Sequence, residues 1–596
     1  MTMKYIVSFI RASLALLMIL ASAAQAEERL NLQSPAASAD DHSLLLTWTP
    51  PGKITNIQAY QILENGHVIG QAKSHNIDSA AEPFIDHFYK NNPSDFTQKI
   101  VWQSAKISDL SPDTSYQFQV QALDKNGQIL NTSQVLTLKT TPRPTQRNIS
   151  AFGAKGDGKT DNTLAIQQAI ASCPTHCELT IPAGTFVTGA IYLKSNMTLH
   201  LAKGAKLLGS SHADDYPIIN KTPSALINVL QSPATDSKTF TNVRIVGNGI
   251  IDGNGWKQSA DRYQNYLQHS QPHYLHGSNK LYKNYGLLAK SQVESGIQHG
   301  MSAHKAYGSM RSNLVYLRKV TNLYVEGVTL RNPANHAIVS SSNKNATYNS
   351  LKVETYDVNN GDGIDISRGT NTLVLNSYFD VGDDAINFAA GAGAKAASEQ
   401  GVNGAWLFNN FIYHAHGGVV LGSRTGSGIK HIVAENNVMV KTDIGLRAKS
   451  SDAIGGGASD VIFRNTALSD LEDQAFLLTL QYGDPNEVTQ YEPAATPAQF
   501  SDFRINHVSV DGIAGKKPSI QILTGFTHSS YHKNIYFNDV HLKNVMPTDI
   551  EDLLDSQFNN VIFSQLKKGT SPWYFHHVYG VTVDGKAAST KAPDSD

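Results

Sequence analysis

The chain has 596 residues, 40% of them apolar, with 49 Lys and Arg against 50 Asp and Glu and a net charge of −1. That length allows two to four domains and a large core. The even balance argues against a general nucleic-acid or polyanion binder, so any attraction for an acidic ligand has to come from local cations. With 45 Gly and frequent Asn at turns, the composition suits an all-β chain with many corners.

Residues 1–26 read as a secretory signal. Lys4 and Arg11 give a positive start, LALLMIL an apolar core, and Ala24-Gln25-Ala26 a small-residue cleavage site. The apolar run falls short of the roughly 20 residues that span a bilayer. An exported chain without a membrane partner is expected, in the periplasm or secreted. The two cysteines, Cys173 and Cys177, lie in SCPTHC and are expected to close one small disulfide loop in an exported protein. Zinc would need ligands beyond His176, and none is evident, so no metal or other cofactor is expected.

Residues 29–142 have the look of a separate domain. LLLTWTPP puts Trp48 on an alternating strand, and AYQILENG gives Tyr60 on a hairpin arm. Leu110-x-Pro112-x-Thr114-x-Tyr116 resembles the tyrosine corner of fibronectin type III modules, and Asn126-Gly127 follows as a hairpin turn. The resemblance implies a β-sandwich without catalytic groups, serving as a spacer or brace rather than as a carbohydrate binder. TTPRPTQR, 140–147, is a Pro-containing linker.

From 148 to 596 the character changes. NISAFGAKGDGKTDNTLAIQQAIASC predicts a helix capped by Thr160 or Asp161, with Leu164, Ile166, Ala169 and Ile170 on its apolar face. This opening resembles that of the pectin-degrading β-helix families, a capping helix followed by the first coils. TNVRIVG, TNLYVEGVTLRN, NTLVLNSYF, KHIVAENNVMV and KNIYFNDVHL then repeat one plan: a polar corner, an apolar-alternating strand, and Asn or Asp-Gly at the next corner. A parallel β-solenoid with stacked Asn corners is expected. Two stretches interrupt the repeat, 255–313 and 389–401. Insertions beside a polymer-binding groove would block one end of it, which predicts a pocket-like, exo-acting site.

The chemistry concentrates in 360–449. Asp362, the pair Asp383-Asp384, His416, and Arg447 with Lys449 lie 21, 33 and 31 residues apart, each step plausible for one coil. Residues one coil apart lie about 4.8 Å from each other. The clusters should therefore stack on one face, as an acid pair with a further acid, a His and two cations: a glycosidase-like set. N-x-D at Asn360–Asp362, G-D-D at 382–384, H-G at 416–417 and R-x-K at 447–449 resemble, in order and spacing, the four motifs of glycoside hydrolase family 28, the polygalacturonases. Gly361, Ala415 and Ala448 depart from the family's usual residues, but none replaces a titrating group.

The resemblance implies a right-handed parallel β-helix and hydrolysis of polygalacturonate or oligogalacturonides by single displacement, without metal. It implies Asp383 as general acid, with Asp362 and Asp384 holding and activating water. His416 would tune the acid, and Arg447, Lys449, Arg424 and Asn360 would bind substrate. Acid and base carboxyls are expected roughly 6.5–9.5 Å apart. The likeness extends to bacterial exo-poly-α-galacturonosidases, which join a fibronectin module to a β-helix and release digalacturonate from the non-reducing end. A monomer is expected. Tyr482 and Tyr531 are candidates for stacking on sugar. His336 would either line a subsite or end a strand, and His414 reads as structural. Two rival readings share the scaffold: a calcium-dependent pectate lyase and a non-catalytic glycan-binding solenoid.

Overall fold

The computed structural model describes residues 30–50, 56–219, 221–230, 239–275, 282–483, 490–525, 530–567 and 571–588. The expected signal at 1–26 lies outside them. The chain divides into two compact units, one of residues up to 78 with 101–144, the other of 79–100 with 145 onward.

The first unit packs two antiparallel sheets. One joins Asn31–Gln33, Leu44–Thr49 and Ser104–Ile107, and the other is built on Ala59–Glu64 and Ser115–Leu123. Strict alternation in SYQFQVQAL buries Phe118, Val120 and Ala122. Trp48 meets Tyr60 edge-on at 5.3 Å, both buried. The Tyr116 hydroxyl accepts from the Ser111 amide at 2.8 Å, which is the tyrosine corner that the sequence predicts. Asn65 and Gly66 turn a hairpin with φ of 49° and 84°.

The second unit is a parallel β-helix. Its strands form one ladder in which each pairs with the strand one coil further on, in parallel register, until an antiparallel hairpin at 582–587. Mostly apolar residues at alternate positions fill the interior, for example Val243, Leu323, Ala346, Thr372, Ala405, Ile432 and Val461 in one register column. At one corner Asn196, Asn242, Asn322, Asn345 and Asn371 form a ladder, each amide donating to the preceding Oδ1 at 2.8 to 3.0 Å. All five have left-handed φ, a conformation that Asn tolerates better than most residues.

The capping helix is Thr163–Ser172, and it buries Ile166, Ala169 and Ile170 against the first coil. Two details differ from expectation. Its N-cap is Asn162, with the Asp161 carboxylate accepting from the Thr163 amide at 2.9 Å. Leu164 is 71% exposed, because it sits two residues, some 200° of helix turn, from Ile166. The Cys173–Cys177 disulfide is formed, between the helix end and the first strand.

A further correction concerns residues 79–100, expected within the sandwich. They group with the β-helix instead. The helix Glu82–Asn91 starts with Pro83 in its first turn and buries Phe84, Ile85 and Phe88. Phe84 stacks on Tyr378 at 4.0 Å and lies 5.3 Å from Phe411. The Ala81 amide donates to the Asn376 carbonyl at 3.1 Å. These contacts make the segment part of the solenoid's wall. We expect Phe84→Ala to cost about 3–5 kcal/mol, the usual loss for a buried Phe. It should appear as a lowered thermal midpoint and as new proteolytic cutting within 79–100.

Candidate active site

Parallel register brings the motif residues together. The Gly363 amide donates to the Asp384 carbonyl at 2.9 Å and the Ala385 amide to that of Gly417 at 2.8 Å, so residues 362, 384 and 417 stand one above another. Asp383 lies beside this column, and its carbonyl accepts from the His416 amide at 2.9 Å. The nearest carboxylate oxygens of Asp362, Asp383 and Asp384 all lie within 4.8 Å of one another. Coil spacing sets the approach of Asp362 to Asp384, and adjacency in the chain sets that of Asp383 to Asp384.

Gly417 makes the stack possible. A Cβ there would lie 2.3 Å from Val420 Cγ2 and 3.0 Å from Asp384 Oδ1. At 361, where the family pattern has a larger residue, a Cβ would lie 2.8 Å from the Val358 carbonyl oxygen and 3.0 Å from that of Thr355. Glycine is what this turn accepts.

Each carboxylate has a different partner. Asp384 Oδ2 accepts from Lys449 Nζ at 2.7 Å, and its Oδ1 lies 3.6 Å from Arg447 Nη1. Burial would raise its pKa, but Lys449 and Arg447 outweigh burial and hold it below the usual carboxylate value. Asp362 Oδ1 accepts from His336 Nδ1 at 2.8 Å. Asp383 takes neutral donors, the Asn360 amide at 3.2 Å and the Asp384 backbone N–H at 3.0 Å. Burial, and then the Asp384 charge, push Asp383 up. Environments that split an adjacent acid pair in this way mark one as proton donor and the other as anion.

His336 was not singled out as a catalytic residue from the sequence. Burial would lower its pKa, but Asp362 at 2.8 Å and Asp365 at 3.5 Å outweigh it and push the imidazole up to about 10. Burial also raises Asp362 well above the usual range, against the pull of His336. Asp365, missed as well, accepts from Asn387 Nδ2 at 3.0 Å and is itself raised by burial.

The remaining sequence candidates divide. Asn360, at φ 53°, is held by buried Arg311, whose Nη2 donates to its Oδ1 at 2.7 Å. Arg311 comes from the 255–313 insertion and also donates to the Tyr307, Ala334 and Asn359 carbonyls. His416 does not bond the acid through its ring: its Nδ1 pairs with Asp443 Oδ2 at 2.6 Å. Arg447 and Lys449 are buried, side by side on one strand, beneath the Tyr482 ring at 5.6 and 5.0 Å. Arg447 Nε and Nη1 have no hydrogen-bond partner among the described residues. Arg424 is exposed on the turn after Phe411–Leu421. Tyr531 pairs with Tyr579 at 6.1 Å, away from the carboxylates.

A cleft of about 460 Å³ opens from Asp383 and His416 towards Tyr356 and His414. His414, expected to be structural, lines this cleft, and its Nδ1 pairs with buried Asp380 at 3.0 Å. Oxygens this close could hold a divalent cation. Lys449 bonds one of these carboxylates, and His336 another.

Two expectations follow. Gly417→Ala displaces the Asp384 carboxylate, and turnover should fall about 10²-fold, as for misplacements of about 1 Å, with the fold retained by circular dichroism. A raised imidazole stabilises the fold fully below its unfolded pKa and loses that contribution as pH rises through the folded value. The thermal midpoint gap between the wild-type chain and His336→Gln should therefore be widest below pH 6.5 and close towards pH 10.

Comparison with known proteins agrees with the motif reading. The model of glycosyl hydrolases family 28 matches residues 297–554, that of rhamnogalacturonase A/epimerase, pectate lyase-like proteins 146–273, and the fibronectin type III model 32–139. An exo-poly-α-D-galacturonosidase of Dickeya chrysanthemi is 47% identical over 579 residues, 96% of each chain. A probable polygalacturonase of Vitis vinifera is 26% identical, over 58% of this chain and 65% of that one. Among solved structures, the family 28 exopolygalacturonase of Yersinia enterocolitica superposes with a TM-score of 0.90 at 46% identity, covering 94% of this chain and 99% of that one. An exopolygalacturonase from Thermotoga maritima shares the fold, with a TM-score of 0.55 at 21% identity over 70% of this chain and 91% of that one.

Proposed function

The chain belongs to glycosyl hydrolase family 28, and from that premise we propose that it hydrolyses α-1,4 linkages of polygalacturonate with inversion, releasing digalacturonate from the non-reducing end. Asp383 donates its proton to the leaving glycosidic oxygen as the bond from the sugar's C1 breaks. Water attacks C1 from the opposite face and gives up its proton to the anionic pair Asp384 and Asp362. The observation that supports this most is the unequal pairing of the carboxylates: Asp384 and Asp362 face cations, whereas Asp383 faces an amide.

The substrate's own carboxylate suits Arg447. Buried guanidinium donors without partners are costly, and a uronate carboxylate satisfies them in a bidentate manner. Lys449 and the Tyr482 ring complete that subsite. Exo action is supported by the 255–313 insertion. Its Arg311 and Tyr307 bind the Asn359–Asn360 turn, and its Tyr263 donates to Asp380 behind His414. His416, paired with Asp443, lines the cleft beside the acid. The N-terminal 26 residues support export, and among the described residues no helix is long and apolar enough to cross a membrane.

The test is incubation with polygalacturonate in chelator. The earliest product should be digalacturonate alone, released as the β anomer in a proton NMR time course. A ladder of products would mean endo action, and an α anomer would mean retention. Ultraviolet-absorbing products lost in chelator would point to the lyase. Asp383→Asn should lower kcat by 10²-fold or more, the usual contribution of a general acid, with little change in KM. An adhesin would keep its binding and show no turnover in either form.

A further inference from the structure

His336 belongs to none of the four motifs, yet it stands in the same register column as two of the catalytic carboxylates. The Ala337 amide donates to the Asp362 carbonyl at 2.9 Å, just as the Gly363 amide donates to that of Asp384 at 2.9 Å, so 336, 362 and 384 follow one another coil by coil. The imidazole Nδ1 reaches Asp362 Oδ1 at 2.8 Å and Asp365 Oδ2 at 3.5 Å. Asp365 is fixed in turn by Asn387 Nδ2 at 3.0 Å. We propose that His336, backed by Asp365, is a positioning residue for the hydrolysis: it clamps Asp362 as an anion aimed at the nucleophilic water, so that two carboxylates rather than Asp384 alone receive the water's proton.

The argument is electrostatic. Asp362 is buried and faces three further carboxylates, Asp365, Asp383 and Asp384, and burial together with like charge drives such a group to take up a proton. A protonated Asp362 offers a donor where the water needs an acceptor. Nearby cations are committed elsewhere: Lys449 bonds Asp384 Oδ2, and Arg311 bonds Asn360 and three backbone carbonyls. Among the described residues, His336 is the cation that hydrogen-bonds Asp362. Asp365 touches the same imidazole without standing in the 336–362–384 column. Its place in the chemistry is to keep the ring protonated.

This role rests on the hydrolase reading above, and the experiment separates the two. The pH profile of kcat/KM on a defined oligogalacturonide is measured for the wild-type chain, His336→Gln and His336→Lys. An opposite charge at hydrogen-bond range lowers an Asp pKa by about 1–3 units. Glutamine keeps a donor but not the charge, so the acid limb should move up by about one unit or more, with KM unchanged. Lysine restores the charge and should return the limb part of the way. A parallel loss at every pH, or a limb unmoved in the glutamine variant, overturns the proposal. A second readout needs no substrate. Thermal midpoints of His336→Gln, Asp362→Asn and the double variant should be non-additive if the pair is formed, and additivity overturns it. A wild-type chain without hydrolysis at any pH would sink the hydrolase reading and the catalytic role with it, while the thermal cycle would still report on the pairing.

Discussion

Stacking parallel coils about 4.8 Å apart forces side chains of equal register into contact, and this site carries four carboxylates in and beside such a stack. Asp362 and Asp384 lie in one column, with Asp383 and Asp365 flanking it. Left alone, four buried like charges would take up protons until no useful anion remained. The chain offsets this with cations placed on neighbouring coils: His336 before the group, and Arg447 and Lys449 after it. Asp383, beside the column on the same coil as Asp384, is the one whose hydrogen-bond donors are neutral. On the proposed reading, the division into acid and base would follow from which carboxylates the cations reach rather than from any difference between the three side chains.

The same logic explains why the insertions are tethered as they are. Buried Asp380 accepts hydroxyl bonds from Tyr263 and Tyr378 and pairs with His414. Tyr263 belongs to the first insertion, and Tyr378 carries Phe84 of the helix 82–91 on its face. Tyr356 stacks on His414 at 4.4 Å at the mouth of the cleft. One carboxylate thus joins the solenoid and the insertion, with the added helix packed behind it, at the cleft wall beside the acid. A buried charge with all its partners in place is stiff, and removing any partner leaves it uncompensated.

Much of this was legible in the sequence, and the boundary of legibility is physical. The repeat, the capping helix, the tyrosine corner and the motif residues all announce themselves through local patterns: alternation, turn chemistry, charged groups inside apolar strands. Asp443 had such a signal, a carboxylate four residues before Arg447 on one strand, and it went unused. His336 and Arg311 had none, since their roles arise from register between coils and from how an insertion folds back. The helix 82–91 was readable in part. Pro83 followed by Phe84, Ile85 and Phe88 is an amphipathic start, but nothing local says that its apolar face meets Tyr378 rather than the sandwich. Leu164 shows the opposite error, an apolar residue assigned inward that the helix period turns out to solvent.

A chain of net charge −1 that binds a polyanion must concentrate its attraction, and the site does so at a cost. Arg447 is 7% exposed, with two donor nitrogens unmatched and a neighbouring Lys449 of like charge. Among the described residues, both cations pair with Asp384. On the proposed reading, an arriving uronate carboxylate would satisfy the guanidinium and in doing so compete with Asp384 for both cations. Substrate binding would then weaken the hold on Asp384 and raise its proton affinity when the water is in place. Arg447, Lys449 and Asp384 are thus a single electrostatic unit, and the spacing of one residue between Arg447 and Lys449, which puts both on the same face of one strand, is what would let them serve both the sugar acid and the water-activating carboxylate.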